Sequence, residues 1–80
     1  MKTPRDIGGA ELAKALGKLG YAVTRQTGSH LRVTTQKHGE HQEVVPNHSP
    51  IKIGTFKSIL RNVAAHHGIS VPDLLKQLGL

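Results

Sequence analysis

Cysteine and tryptophan are absent from this chain of 80 residues, which contains only 1 tyrosine and 1 phenylalanine. The lack of cysteine excludes a disulfide scaffold, a thiol nucleophile and a thiolate metal site. The scarcity of aromatic side chains removes the platforms on which most single-stranded nucleic acid binders stack bases. No apolar run approaches the roughly 20 residues needed to span a bilayer, and no hydrophobic signal region follows residues 1–6. We therefore expect a soluble, cytoplasmic protein.

The length sets a further limit, because 80 residues predict one domain, residues 1–80, with a single core. A domain of this size buries only about 60% of the surface that its unfolded chain exposes. Hydrophobic residues make up 36% of the chain, which is enough for a thin two-layer core but not for a large enclosed pocket. The glycines form neither a GxGxxG motif nor a P-loop, so the sequence supports no nucleotide cofactor.

Acidic residues are also few: 5 Asp and Glu residues stand against 11 Lys and Arg residues, giving a formal net charge of +6 at pH 7. Such a charge attracts polyanions, and the candidates are nucleic acid, an anionic membrane surface and an acidic protein. The basic residues are spread along the chain and form no block. This distribution is more typical of a folded domain that binds duplex or structured nucleic acid than of a disordered basic tail.

Helical periodicity is present before and after a β-rich middle section. Residues 9–19 predict a first helix with Leu12, Leu16 and Leu19 on one stripe, ended by Gly20. A second helix opens at Gly54 and ends at Gly68, and its apolar residues recur at helical spacing: Phe56, Ile59, Leu60, Val63 and Ala64. Ser70 then caps a short final helix that contains Leu74, Leu75 and Leu78.

The middle section predicts three β-strands, over residues 21–26, 29–35 and 42–46. Thr27-Gly28 predicts a tight hairpin turn between the first two, and the polar residues 36–40 predict the next turn. Pro46 ends the third strand because it cannot donate to a strand ladder, and a loop over residues 47–53 follows. This order indicates an α+β fold, in which a three-stranded antiparallel sheet carries two helices on one face and a short C-terminal helix is added.

The period-two alternation assigns side chains to the two faces of the sheet. In the first strand it separates two pairs, Tyr21 with Val23 and Thr24 with Gln26. In the second strand Leu31 and Val33 need a core, so His30 and Arg32 should point to the opposite, open face.

His30 is the first candidate for chemistry, because an imidazole titrates near neutral pH and can give or take a proton. A phosphodiester attracted by Arg25 and Arg32 would meet the His30 side chain. RNA supplies its own nucleophile in the 2′-hydroxyl, so neither a catalytic serine nor a metal ion is required. The alternative is that His30 simply faces solvent.

The other histidines are weaker candidates. His48 lies in the loop after the third strand, where site residues are common, but from this position alone the favoured interpretation is an ordinary polar loop residue. His38 and His41 lie in a polar turn without an HExxH spacing or a cysteine partner, so we expect them to be solvated and predict no metal site. His66 and His67 end the second helix, where partial protonation favours the helix dipole, and we interpret them as structural.

Lys57 and Arg61 form a basic i, i+4 pair on the second helix. Two interpretations stay open for this pair: contact with a phosphate backbone, or solvation of that helix face.

Several segments, taken together, resemble a known family. They occur in one order, as Leu12-Ala13-Lys14-Ala15-Leu16, Gly20-Tyr21, Arg25-Gln26-Thr27-Gly28-Ser29-His30, Val45-Pro46-Asn47-His48 and Gly54-Thr55-Phe56-Lys57-Ser58-Ile59-Leu60. This arrangement is similar to the HicA family (also called YcfA-like), the toxins of prokaryotic HicA–HicB toxin–antitoxin systems. The resemblance extends from about Gly8 to Gly68, and its most specific part is the spacing between the Gly-Ser-His and Gly-Thr segments.

The resemblance implies a small α-β-β-β-α domain related to the double-stranded RNA-binding fold. It also implies a ribosome-independent, metal-independent mRNA endonuclease that blocks translation, needs no cofactor and is neutralised by a HicB-type antitoxin. The family's active-site histidine corresponds to His30, and Gly28 and Ser29 correspond to the turn that presents it. We expect RNA-binding roles for these two turn residues and for four basic residues, Arg25, Arg32, Lys57 and Arg61. His48 matches a histidine that often follows the third strand, and it stays a candidate without an assigned role.

The sequence departs from the simplest family pattern in two places. Residues 36–43 are rich in His and Glu, which we expect to affect RNA or antitoxin contacts. Residues 70–80 extend beyond the core of about 8–68, and we expect them to pack on that core or to contribute to assembly.

Two other functions are consistent with the same features. One is a non-catalytic module that binds double-stranded RNA by its backbone shape. The other is a protein-interaction module whose positive face docks an acidic partner.

Overall fold

The computed structural model describes residues 6–80, so residues 1–5 of the predicted domain lie outside the described residues. The elements follow in the order α1 (Gly9–Leu16), a 3₁₀ turn (Gly17–Leu19), β1 (Ala22–Thr27), β2 (His30–Thr35), β3 (His41–Pro46), α2 (Ile53–His67) and α3 (Val71–Leu78). This order confirms the predicted α+β fold with a short C-terminal helix. Among the described residues, no helix combines the length and the apolar character needed to cross a membrane.

The three strands form one antiparallel sheet in the order β1-β2-β3, with β2 in the centre. Along β2 the side chains of Leu31, Val33 and Thr35 are buried, whereas those of His30 and Arg32 are exposed. The alternation predicted for this strand is therefore confirmed. The helices cover the face that carries Leu31 and Val33, and the opposite face is open.

Strand β1 does not follow the predicted alternation, because it contains a β-bulge. Val23 pairs with Val33, but the next paired residue is Arg25, which lies opposite Arg32. The extra residue, Thr24, reverses the alternation from that point onward. As a result Gln26 pairs with Leu31 on the helix side of the sheet. Thr24 and Gln26 therefore do not lie on the same face, and the prediction that they do is wrong. The bulge thus places Arg25 on the open face of the sheet.

The core lies between the sheet and the helices. Its most completely buried side chains come from the three helices and from β2 and β3, and include Leu12, Leu16, Val33, Val45, Phe56, Leu60, Val63, Leu74 and Leu78. Burial of this many aliphatic side chains is the main favourable term in folding. Residues of α3 belong to the same cluster, so the C-terminal segment packs on the core.

The first helix ends earlier than predicted. Its α-helical part stops at Leu16, and the chain continues as a 3₁₀ turn until Gly20, which has a left-handed φ of 84°. Gly17 begins that turn, and glycine has a low helix propensity. The apolar stripe still reaches Leu19, which is buried in the turn.

Candidate active site

A two-residue turn presents His30 at the start of β2. Thr27 pairs with His30 across the hairpin, so the turn consists of Gly28 and Ser29, one position later than predicted, and Ser29 lies outside the strand. Gly28 has φ 55°, a left-handed conformation that glycine adopts readily. A Cβ atom at Gly28 would meet no atom within 4 Å, so the glycine is required by backbone conformation and not by space.

The open face of the sheet has a shallow cavity next to this turn. The cavity has a volume of about 350 Å³ and is lined by Arg25, Thr27, His30, Arg32 and Val44. The two arginines are direct cross-strand partners. Within residues 6–80 the one close contact between a basic side chain and a carboxylate joins His41 to Glu43, so no described carboxylate neutralises either guanidinium. Two adjacent guanidinium groups without acidic partners form a site that favours phosphate oxygens.

A second cavity begins on the other side of His30. It has a volume of about 420 Å³ and is lined by His30, Pro46, His48, Pro50, Ile51, Lys52 and Thr55. Because His30 lines both cavities, its imidazole lies where the arginine side and the histidine side of the site meet. The predicted residues Arg25, Arg32, His30 and His48 are therefore brought together.

The loop that carries His48 is held by backbone hydrogen bonds on both sides. The Asn47 N–H donates to the Ser29 carbonyl oxygen at 2.6 Å, which fastens the loop to the turn that presents His30. The Gly9 N–H donates to the His48 carbonyl oxygen at 2.8 Å, and the Ile51 N–H donates to the Ile7 carbonyl oxygen at 2.9 Å. The backbone of His48 is thus fixed relative to both α1 and the β1–β2 hairpin.

The start of α2 adds positive potential to the second cavity. The helix begins at Ile53, no side chain caps it, and its first turn contains no acidic residue. Lys52 and Thr55, which flank this helix start, both line the cavity. The positive end of the helix dipole and the Lys52 ammonium group therefore add to the arginine charges across the site.

Lys57 and Arg61 are exposed, but they are not part of this arrangement. They line a different cavity, together with Leu60 and Val71, and neither residue lines the two cavities at His30. The structure therefore separates this predicted basic pair from the predicted catalytic histidine.

Seven residues that line the His30 cavities were not predicted as site residues: Thr27, Val44, Pro46, Pro50, Ile51, Lys52 and Thr55. Val44 is the cross-strand partner of Arg32, and that pairing depends on the strand register, which the sequence does not specify. Lys52 and Thr55 flank the predicted start of the second helix. That position was the one feature of the sequence that could have indicated them as site residues.

A separate cluster of polar side chains lies on the helix side of the sheet; we call it the histidine network, and it consists of Tyr21, His38, His41, Glu43, His66 and His67. His41 and Glu43 pair with Thr35 and Val33, whose side chains are buried, so the network lies on the face opposite His30. The prediction that His38 and His41 are solvated is confirmed for His38, which is exposed, but His41 is only partly exposed; both are also hydrogen-bonded within this network, which was not predicted. The reason is that the β2–β3 turn folds against the end of α2.

Hydrogen bonding defines a direction through the network. With neutral imidazoles, one set of tautomers satisfies every contact: His41 donates from Nε2 to a Glu43 carboxylate oxygen at 3.2 Å and accepts at Nδ1 from the Tyr21 hydroxyl at 2.6 Å. The Tyr21 oxygen then accepts from His67 Nε2 at 3.1 Å, and His67 Nδ1 accepts from His38 Nδ1 at 3.0 Å. Each of these three imidazoles is therefore satisfied in its neutral form.

His66 completes the network by fastening the β2–β3 turn. Its Nε2 lies 3.1 Å from the Lys37 carbonyl oxygen and 3.0 Å from that of Gly39, so it donates to both. Its ring also stacks on His41, with 4.4 Å between the ring centroids. His66 and His67 therefore link the end of α2 to the turn.

The surroundings of the network shift two pKa values. Burial, with a further contribution from the negative charge of Glu43, raises the pKa of Tyr21 to about 12. Burial lowers the pKa of His67, and His66, His38, His41 and Lys37 lower it further whenever these neighbours carry a positive charge. Both shifts favour the neutral forms that the hydrogen bonds require. Within residues 6–80, no group of three or more His, Cys, Asp or Glu side chains is arranged to hold a metal ion.

Comparison with known proteins gives one match. The family model described as "HicA toxin of bacterial toxin-antitoxin" matches residues 9–65, which is more than half of the chain. No curated protein and no solved structure matches the chain. The matched range includes the β1–β2 hairpin, the loop of His48 and most of α2.

Proposed function

The chain belongs to the HicA toxin family of bacterial toxin–antitoxin systems, and from this premise we propose that it is an endoribonuclease that cleaves mRNA and so inhibits translation. Membership makes it a toxin-type protein whose partner is an antitoxin. Its site of action is the cytoplasm, where mRNA is translated, and a HicB-type antitoxin neutralises it.

One observation carries this proposal: the His30 imidazole is exposed between a pair of arginines without acidic partners and a second positively charged cavity. Arg25 and Arg32 bind phosphate oxygens of the RNA backbone. Lys52 and the start of α2 attract the continuing strand. The formal net charge of +6 supports binding to a polyanion over a longer range.

The chemistry follows from the groups that the site contains. His30, as the neutral imidazole, accepts the proton of the ribose 2′-hydroxyl while the 2′-oxygen attacks the adjacent phosphorus. The bond from phosphorus to the 5′-oxygen of the next nucleotide breaks, and that oxygen takes up a proton. The products are a 2′,3′-cyclic phosphate and a 5′-hydroxyl end. The arginines stabilise the negative charge that develops on the phosphate oxygens. This route uses no metal ion and no cofactor.

The test is cleavage of a long RNA by the purified protein, with and without a chelator, followed by analysis of the new RNA ends. We expect cleavage that persists in the chelator and yields cyclic phosphate or 3′-phosphate ends. Products with 5′-phosphate ends, or activity that disappears in the chelator, would contradict the proposed chemistry.

The position of Lys57 and Arg61 favours a second candidate function. Because this basic pair lies outside the His30 cavities, it suits a module that reads the backbone of double-stranded RNA without cutting it. This alternative predicts salt-dependent binding to duplex RNA, no cleavage, and no effect of His30→Ala on binding.

A further inference from the structure

The reaction proposed above needs two proton transfers at different atoms. The 2′-hydroxyl loses a proton as its oxygen attacks phosphorus, and the 5′-oxygen gains one as it leaves. In an in-line displacement these two oxygens lie on opposite sides of the phosphorus. A single imidazole at His30 reaches one side, so a second group on the other side would accelerate the departure of the 5′-oxygen.

The lining of the two cavities leaves few groups for that second role. Neither cavity is lined by an acidic side chain. Apart from the histidines, the basic side chains that line them are arginine and lysine, residue types whose usual pKa values lie far above neutrality. Histidine alone has an ordinary pKa near neutrality, and His48 is the other histidine in the cavity that contains His30.

His48 is also held in position as a catalytic group must be. Its carbonyl oxygen accepts from the Gly9 N–H, and the preceding N–H, of Asn47, donates to the carbonyl oxygen of Ser29. Ser29 directly precedes His30, so a short path of backbone connects the two histidines. The His48 side chain itself is exposed and free to meet a ligand in the cavity.

We propose that His48 is the general acid of the reaction, donating a proton to the departing 5′-oxygen while His30 accepts the proton of the 2′-hydroxyl. This inference rests on the proposed ribonuclease function. The bond between the 2′-oxygen and phosphorus forms, the bond between phosphorus and the 5′-oxygen breaks, and one proton enters at His30 as one leaves from His48. Exchange with water restores both imidazoles before the next turnover.

The experiment compares wild type, His48→Ala, His48→Gln and His30→Ala on two RNA substrates. One substrate is ordinary RNA, and the other contains sulfur in place of the 5′-oxygen at a single cleavage site. A thiolate leaves without a proton, so this substrate does not need a general acid. Gln77→Ala is the control, because Gln77 is an exposed residue of α3 that lines neither cavity.

On ordinary RNA we expect both His48 variants to lose about 10²- to 10⁴-fold in cleavage rate, as is typical for loss of a general acid. On the sulfur substrate we expect both to approach the wild-type rate, whereas His30→Ala stays impaired. The rate of wild type should also fall at high pH as the acid loses its proton, and this fall should disappear in His48→Ala. The melting temperature should not change, because the side chain is exposed.

The outcomes separate this inference from the proposed function. If wild type does not cleave RNA, the ribonuclease proposal itself fails. If wild type cleaves and His48→Ala cleaves equally well, only the role of His48 is overturned. The same conclusion follows if His48→Ala is slow on both substrates, because a general acid must be dispensable when the leaving group is a thiolate.

Discussion

Alanine at Gly9 should destabilise this protein, although alanine is the better helix former. Gly9 is the first residue of α1, and there the helix touches the end of β3. A Cβ atom at this position would overlap the Pro46 carbonyl oxygen and would lie 2.8 Å from the Asn47 Cα atom. Both are backbone atoms, so the helix or the loop has to move.

Three contributions determine the size of the effect. Alanine gains at most about 1 kcal/mol over glycine in helix propensity, and less at a helix end. Introducing a methyl group into packed structure costs about 1–3 kcal/mol. Movement also weakens the hydrogen bond from the Gly9 N–H to the His48 carbonyl oxygen, which contributes about 1 kcal/mol. The net result is a loss of roughly 1–3 kcal/mol in the free energy of unfolding.

The assay is urea unfolding of Gly9→Ala beside Gly17→Ala, its matched control in the same segment. A Cβ atom at Gly17 would meet nothing within 4 Å, and this residue has a helical φ of −56°. Gly17→Ala should therefore stabilise the protein by about 0.5–1 kcal/mol. The two substitutions are therefore expected to change the free energy of unfolding in opposite directions. Stabilisation by both substitutions would contradict this prediction, because it would mean that the helix does not approach the loop so closely.

Three further predictions concern pH, charge and the C-terminal helix. Because the pKa of His67 is lowered in the folded protein, the unfolded chain binds a proton at His67 more readily than the folded protein does. The contribution of His67 to stability is therefore present above the ordinary histidine pKa of 6.5, and it is lost as the pH falls below 6.5. The raised pKa of Tyr21 acts at alkaline pH, where its contribution to stability is lost as the pH rises from 10.0 towards about 12. Urea unfolding measured across the pH range checks both predictions, and a free energy of unfolding that stays constant in these two ranges would contradict them. Arg32→Ala should weaken RNA binding and reduce the slope of log affinity against log salt concentration by about 1, whereas Lys76→Ala on α3 should change neither. Filter-binding titrations at several salt concentrations measure these slopes, and equal slopes for Arg32→Ala and wild type would argue against a phosphate contact at Arg32. Leu74→Ala should lower the free energy of unfolding by about 2–5 kcal/mol, because the Leu74 side chain is 0% exposed. The control Gln77→Ala, at an exposed position, should change it by no more than about 0.5 kcal/mol. A similar melting temperature for the two variants would show that α3 is not part of the cooperative core.

Periodicity in the sequence was sufficient to predict the element order and the face on which His30 lies. Leu31 and Val33 require burial, and the strict alternation of a central strand then points His30 and Arg32 the other way. Helix starts and ends were also predictable within a few residues. Gly20 and Gly68 adopt the left-handed conformation that ends a helical segment, and the Ser70 side chain caps the start of α3.

Features that depend on contacts between distant residues were not predictable. The bulge at Thr24 moves Arg25 to the face of Arg32, and nothing in the local sequence marks that extra residue. The histidine network joins Tyr21 to His41 and His67, which lie 20 and 46 positions away along the chain. Such contacts follow from strand register and helix packing, so individual histidines look like solvated residues until the fold is known.

The most direct test of the account is the initial rate at which His30→Ala cleaves a long RNA, measured beside wild type at equal concentration. We expect a loss of about 10²- to 10⁴-fold with an unchanged melting temperature, because the His30 side chain is exposed. An alanine variant that folds normally and cuts RNA as fast as wild type would contradict it.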